Sequence, residues 1–148
     1  MIRRKKNKIM KIMLDKNAFI PIRAHADDAG YDLKTRDRVE VPAHGYAIVD
    51  TGVHMQIPSK YVGFLKSKSG LNVVHSLTGE GVIDSGYTGS IVVKIYNHGD
   101  NTYVFNEGDK IIQIVLLPIF TPLLQLVDSF EDNESGGRGN NGFGSTGE

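Results

Sequence analysis

Two stretches of the sequence carry side chains suited to phosphate oxygens. In Lys66-Ser67-Lys68-Ser69-Gly70-Leu71, cations, hydroxyls and a glycine precede an expected short helix. Lysine ammoniums and the free N–H groups of a helix start both suit an anion. The plainer alternative makes Ser69 a helix N-cap among solvated lysines. Near the C-terminus, "RGNNGFGSTG" holds Arg138, Phe143, Gly144, Ser145 and Thr146. Its glycines expose backbone N–H groups, its hydroxyls add donors and Arg138 adds charge, which together suit a phosphate clamp. The G-x-G-x-x-G at Gly142, Gly144 and Gly147 fails as a dinucleotide fingerprint, because no expected strand precedes it.

Three further residues have polar chemistry in apolar settings. Asp32, in "AGYDL", points opposite its neighbours Tyr31 and Leu33 if the segment is extended. Read alone it is a surface carboxylate. Asp84 opens the turn Asp84-Ser85-Gly86-Tyr87 between two apolar runs, "GVI" and "SIVVKIY", the pattern of a β-hairpin. Gln113 interrupts the apolar run "KIIQIVLLP", and a buried amide must find partners. The alternatives are a plain polar turn for Asp84 and a satisfied core glutamine for Gln113. Other chemistry is excluded or unsupported. Cysteine is absent, so thiolate metal sites and cysteine nucleophiles are excluded. The five histidines show no ligand spacing, and no serine stands in a nucleophile elbow.

These residues must be positioned mainly by strands. Apolar residues recur with period two or in short bursts, bounded by Gly, Pro, Asn and Asp. Strands are expected near Lys11–Leu14, Tyr46–Asp50, His54–Ile57, Val62–Leu65, Gly81–Ile83, Ser90–Tyr96, Asn101–Phe105 and Lys110–Leu116. One short helix is expected after Ser69, through Leu71–His75. Many short strands with close turns imply an all-β sandwich or barrel.

At 148 residues the chain suits one domain. Residues 1–9 read as a basic, disordered extension, residues 10–128 as the β domain and residues 129–148 as a flexible glycine-rich arm. Six of the 17 basic residues lie in the first eleven positions, leaving 11 basic against 17 acidic residues in the rest. So acidic a body argues against direct nucleic-acid binding. No apolar run approaches the ~20 residues of a membrane helix; no membrane contact and a cytoplasmic location are expected. The apolar segment from Ile119 to Val127 follows the last expected strand, and a small core has little room for it. It is expected to pack on another subunit.

In their order and spacing these five stretches resemble the signature motifs of the homotrimeric dUTPase family, from about Met10 to Glu148. The resemblance implies a β jelly roll, a homotrimer with shared active sites, and Mg²⁺-assisted hydrolysis of dUTP to dUMP and pyrophosphate. In that scheme Asp32 lies beside the metal–triphosphate and helps hold its water shell. Lys68, Ser69 and Gly70 meet phosphate; the family usually has arginine where this chain has Lys68, which cannot form the bidentate fork. Gly81, Val82, Ile83, Asp84, Tyr87 and Val92 belong to a hairpin that cradles uracil. Its backbone groups copy a base-pairing edge, so cytosine would bring donors against donors. Tyr87 lies under the deoxyribose and leaves no space for a 2′-hydroxyl. Asp84 is the general base, Gln113 sits near the catalytic water, Phe143 stacks on uracil, and Arg138, Gly144, Ser145 and Thr146 close over the phosphates. Two alternatives stay open. A dCTP deaminase shares this fold, although "GSIVVK" lacks the acid that its pattern places after the hairpin. A regulatory module that holds a protein partner is the other.

Overall fold

The computed structural model describes residues 9–130, 139–142, 144 and 147. Its elements are β1 (Ile12–Leu14), β2 (Gly30–Lys34), β3 (Val39–Val41), β4 (Tyr46–Asp50), β5 (Val53–Met55), β6 (Tyr61–Lys66), α1 (Ser69–His75), β7 (Leu77–Ile83), β8 (Val92–Asn97), β9 (Tyr103–Phe105) and β10 (Lys110–Pro118). Six strands form one antiparallel sheet in the order β2-β10-β6-β7-β8-β4, while β1 pairs with β5 and β3 with β9. This is the all-β, jelly-roll-like class expected, with one short helix.

Alternation decides which face of each strand is inward. In β8, Val93, Ile95 and Asn97 are buried while Val92 and Tyr96 are exposed. Leu33 of β2, Val41 of β3, Val53 of β5, Leu65 of β6, Leu77 of β7, Phe105 of β9 and Ile112 of β10 meet in a single cluster. Both small ribbons therefore close over the same core as the large sheet. Each such side chain stabilises the fold by roughly 1.5–3 kcal/mol.

The structure corrects the expected elements in five places. β2 and β3 were not among the expected strands. β2 contains Gly, Asp and Lys, which have low strand propensity, and pairing along β10 overrides that preference. β3 is only three residues long. The strand expected at His54–Ile57 lies at Val53–Met55, and β7 begins at Leu77, four residues before the expected Gly81. In α1 the N-cap is Lys68, not Ser69, and no side chain caps it.

A register shift between Lys110 and Ile112 marks a bulge in β10. Ile111 and Ile112 are both buried, at 2% and 0% exposure. The bulge breaks simple alternation, so Lys110, opposite Lys34, and Gln113, opposite Asp32, share one face. That face carries the first half of the candidate site.

Expectations for residues 1–8, 131–138, 143, 145, 146 and 148 lie outside the described residues, including those for Arg138, Phe143, Ser145 and Thr146.

Candidate active site

Asp32, Gln113 and Lys66 stand in one row across β2, β10 and β6, each directly opposite the next. Asp32 is 6% exposed, so the surface reading of this carboxylate is wrong. Its Oδ1 accepts a hydrogen bond from Lys68 Nζ, and Lys110 Nζ lies 3.0 Å from its Oδ2. Burial alone would raise the pKa of this carboxyl. Hydrogen bonds from Lys68 and Lys110, with their charges, outweigh burial and hold it below the usual carboxylate value. The stability this pairing contributes is present at neutral pH and is lost as pH falls through that lowered pKa. Two cations on one carboxylate leave the cluster a net positive charge, which suits a polyanion.

Gln113 Nε2 donates to the carbonyl of Ser67 at 3.1 Å. The Ser67 hydroxyl donates to Gly79 O at 3.1 Å and accepts from Gly79 N at 3.0 Å. The loop between β6 and α1, which carries Lys68, is thereby anchored to both β10 and β7. Gly30 completes the arrangement. A Cβ there would lie 2.5 Å from Gln113 Oε1 and 3.1 Å from Gln113 Cβ. Overpacking of this kind costs about 1–3 kcal/mol. Gly30→Ala is therefore expected to displace Gln113, lower the melting temperature slightly and reduce kcat roughly tenfold (about 1.4 kcal/mol). Unchanged kcat in that variant would show that Gln113 does not act in the reaction.

The second half of the site is the turn between β7 and β8. These strands pair only at Leu77–Asn97, Thr78–Tyr96 and Gly79–Ile95. Beyond that base they part: Ile83 pairs with Gly63 of β6, and Val92 pairs with Asp50 of β4. The expected hairpin is therefore closed at its base and splayed at its turn. The opening is a cavity of about 260 Å³ lined by Val82, Ile83, Asp84, Tyr87 and Val92. Backbone groups on the facing edges of β7 and β8 have no ladder partner there. Asp84 is exposed, and its carbonyl accepts from Tyr87 N at 3.1 Å. The Tyr87 hydroxyl donates to Ser90 O at 2.7 Å, with the ring folded over Gly89.

The two halves do not meet within one chain. Along β6, Lys66 pairs with Glu80 and Gly63 with Ile83, so the chain leaves the ladder at Asp84 in the direction of Val62. Four residues of strand separate that point from Lys66, roughly 13 Å. Among the described residues no hydrogen bond or ion pair joins Asp32, Lys68 or Gln113 to Asp84 or Tyr87. Ser69 and Gly70 are exposed at the start of α1, and a Cβ on Gly70 would meet nothing. In the arm, Gly144 and Gly147 have φ of 80° and 95° and are joined by a turn hydrogen bond of 3.1 Å. Residues that the sequence reading missed are Lys110, Ser67 and Gly30. The signal for Lys110 was a cation three positions before Gln113, hidden by the bulge between them.

Beyond β10 the chain runs without regular structure to Phe130, and just past the strand Ile119 N donates to Lys60 O at 2.9 Å. Phe120, Leu123, Leu124, Leu126 and Phe130 are 88%, 101%, 94%, 99% and 93% exposed. Burying each against another surface would contribute roughly 1.5–3 kcal/mol.

A family model for dUTPase matches residues 16–147. The deoxyuridine 5′-triphosphate nucleotidohydrolase of Yarrowia lipolytica is 41% identical, with 90% of this chain and 85% of that protein covered. The enzyme of the same name from Saccharomyces cerevisiae is 35% identical over 95% of this chain and 96% of its own. Among solved structures, the Staphylococcus bacteriophage 80alpha dUTPase with dUpNHpp superposes with a TM-score of 0.88 at 32% identity, covering 96% of this chain and 99% of that one. That phage enzyme is described as controlling transfer of virulence genes by a G protein-like mechanism. A dUTPase mutant from phage phi11 of S. aureus, described with a structural Mg(II) ion, superposes with a TM-score of 0.78 at 33% identity, covering 83% of this chain and 99% of that one. The chain belongs to the dUTPase family, whose members hydrolyse deoxyuridine 5′-triphosphate.

Proposed function

We propose that the chain hydrolyses dUTP to dUMP and pyrophosphate by attack of water on the α-phosphorus. The observation that carries this reading is the splayed hairpin. Its open end offers unpaired backbone donors and acceptors around a small cavity, with a carboxylate and a tyrosine at the mouth. Backbone groups there can pair with the edge of uracil and refuse cytosine. Tyr87, folded over Gly89 by its bond to Ser90, forms a wall against which a 2′-hydroxyl would clash. Asp84 takes the proton of the attacking water. Lys68 and Lys110 neutralise phosphate charge as it moves to the leaving group, and Gln113 orients the α-phosphate or the water. Phosphoryl transfer asks a protein chiefly for such positioning and neutralisation.

Magnesium fits this site only as a partner of the substrate. Among the described residues no three His, Asp or Glu side chains converge on a point that could hold a metal. Both oxygens of Asp32 are engaged by ammoniums, so Asp32 would reach the ion through water while the phosphates supply most ligands. When bound, the ion supplies further neutralisation of the triphosphate.

The working form is a homotrimer with shared sites. The roughly 13 Å along β6 between the two halves, and the apolar segment from Phe120 to Phe130 left in water, both support it. The stretches that hold Asp32, Lys68 and Gln113 come from one subunit, the hairpin from a second, and the arm with Arg138, Phe143, Gly144, Ser145 and Thr146 from a third. The deaminase alternative draws no support from the relatives compared, which are named for triphosphate hydrolysis. A regulatory role beside catalysis is a second reading, favoured by the description of the phage 80alpha relative. A protein partner released by dUTP in a pull-down would support it.

Hydrolysis in ¹⁸O-labelled water tests the reaction. The label is expected in dUMP; label in pyrophosphate would place the attack on the β-phosphorus and overturn the mechanism.

A further inference from the structure

The loop after Tyr87 is held by a histidine outside every motif considered above. His54, on β5, places Nδ1 2.8 Å from the carbonyl oxygen of Thr88 and Nε2 3.0 Å from Asp15 Oδ1. A carbonyl and a carboxylate can only accept. Both ring nitrogens must therefore donate, which only the doubly protonated imidazolium can do. We propose that the His54 imidazolium is a positioning residue for the reaction, clamping the Thr88 carbonyl so that Tyr87 and Asp84 are held ready for substrate. This rests on the functional reading of the Asp84–Tyr87 turn.

The surroundings make the clamp part of a charged ring. Arg36 Nη1 lies 3.8 Å from Asp15 Oδ2, and Arg36 Nη2 lies 3.0 Å from Asp50 Oδ2. Asp50 Oδ1 accepts from Gly52 N at 2.9 Å and from the Ser90 hydroxyl. Ser90 is the residue whose carbonyl fixes the Tyr87 hydroxyl. Two charged chains of contact thus converge on the loop, through Thr88 and through Ser90. Facing His54 are Asp15 from the segment after β1, Asp50 from β4, and Arg36 beyond both; on β1 the residue opposite is Met13, which does not titrate. Among the described residues, the turn from Asp84 to Tyr87 is otherwise held by its own Asp84–Tyr87 backbone bond.

The pH dependence has a definite sign. The Thr88 carbonyl first, and then Asp15, raise the pKa of His54 above its ordinary value. The clamp is complete below that raised pKa. As pH rises through it, the ring keeps a single N–H and loses either its bond to the Thr88 carbonyl or its anchor on Asp15, so the clamp is broken at one end. Substrate binding must then order the loop, so apparent affinity falls in proportion to the competent fraction. Once substrate is bound the loop is ordered, so kcat changes less than KM.

The test uses the full-length protein. KM and kcat for dUTP are measured from pH 6 to 9, alongside NMR titration of the His54 ring. KM is expected to rise severalfold with an inflection that coincides with the His54 titration. His54→Gln should show a raised KM with no such inflection, and Asp15→Asn should move the inflection to lower pH. An inflection that persists in His54→Gln, or a His54 carrying one ring proton at pH 6, would overturn the clamp. If the wild-type protein did not hydrolyse dUTP, the functional reading would fail instead. The ring titration, with the amide shifts of the Thr88 loop, would still decide the clamp.

Discussion

Asp84→Asn is expected to lower turnover by about 10²-fold or more while dUTP affinity stays within a few-fold, because general-base catalysis contributes about that much. The substitution preserves shape and hydrogen-bonding size but removes the acceptor for the proton of water. Asp84 is exposed at the turn, and its backbone carbonyl makes the turn's hydrogen bond to Tyr87 N. The exchange therefore removes no side-chain bond on which the fold depends. Binding should persist because the cavity wall, Val82, Ile83, Tyr87 and Val92, is untouched. Steady-state kinetics with dUTP, together with calorimetric titration of a non-hydrolysable analogue, separate the two effects. A near-normal kcat would mean that another group activates the water.

The second large effect concerns the arm. A chain ending before Ser135 keeps β1 to β10 and the apolar segment through Phe130, so it is expected to fold and assemble. It lacks Arg138, Phe143, Ser145 and Thr146, and should bind dUTP weakly and turn it over barely at all. Co-expression with full-length Asp84→Asn is the informative step. If hairpin and arm reach a site from different subunits, some mixed trimers contain a site with Asp84 from the truncated chain and an arm from the other. Activity then reappears above both parents. If both parts came from one chain, every site would keep one defect. Heterotrimers confirmed by mass spectrometry, yet inactive, would refute the shared site and leave the reaction itself standing.

Much of this was legible in the residues. Period-two alternation exposed most of the strands, and turn chemistry marked the Asp84–Tyr87 turn, because both are local properties. The site was legible only in pieces. Nothing local to "AGYDL" says that Asp32 is buried; two lysines distant in sequence make burial tolerable, and only the β2-β10 register brings them together. Lys110 was hidden because the bulge at Ile111 moves it onto the face of Gln113, against simple alternation. β2 escaped notice because its strand state is imposed by its neighbour in the sheet. The splaying of β7 from β8 was likewise invisible, since it depends on β7 turning to β6 beyond Gly79 while β8 keeps β4 from Val92 to Tyr96. His54 carried no motif, and its role depends on three segments meeting at one ring.

In the proposed reaction the splayed hairpin reads uracil and deoxyribose while the lysine–aspartate cluster holds the triphosphate. Pyrophosphate release from dUTP, dCTP, dTTP and UTP, each with Mg²⁺, tests it most directly. Efficient release is expected from dUTP and far poorer release from the other three. Comparable turnover of UTP would contradict the placement of Tyr87 under the sugar, and comparable turnover of dCTP would contradict base reading by the hairpin.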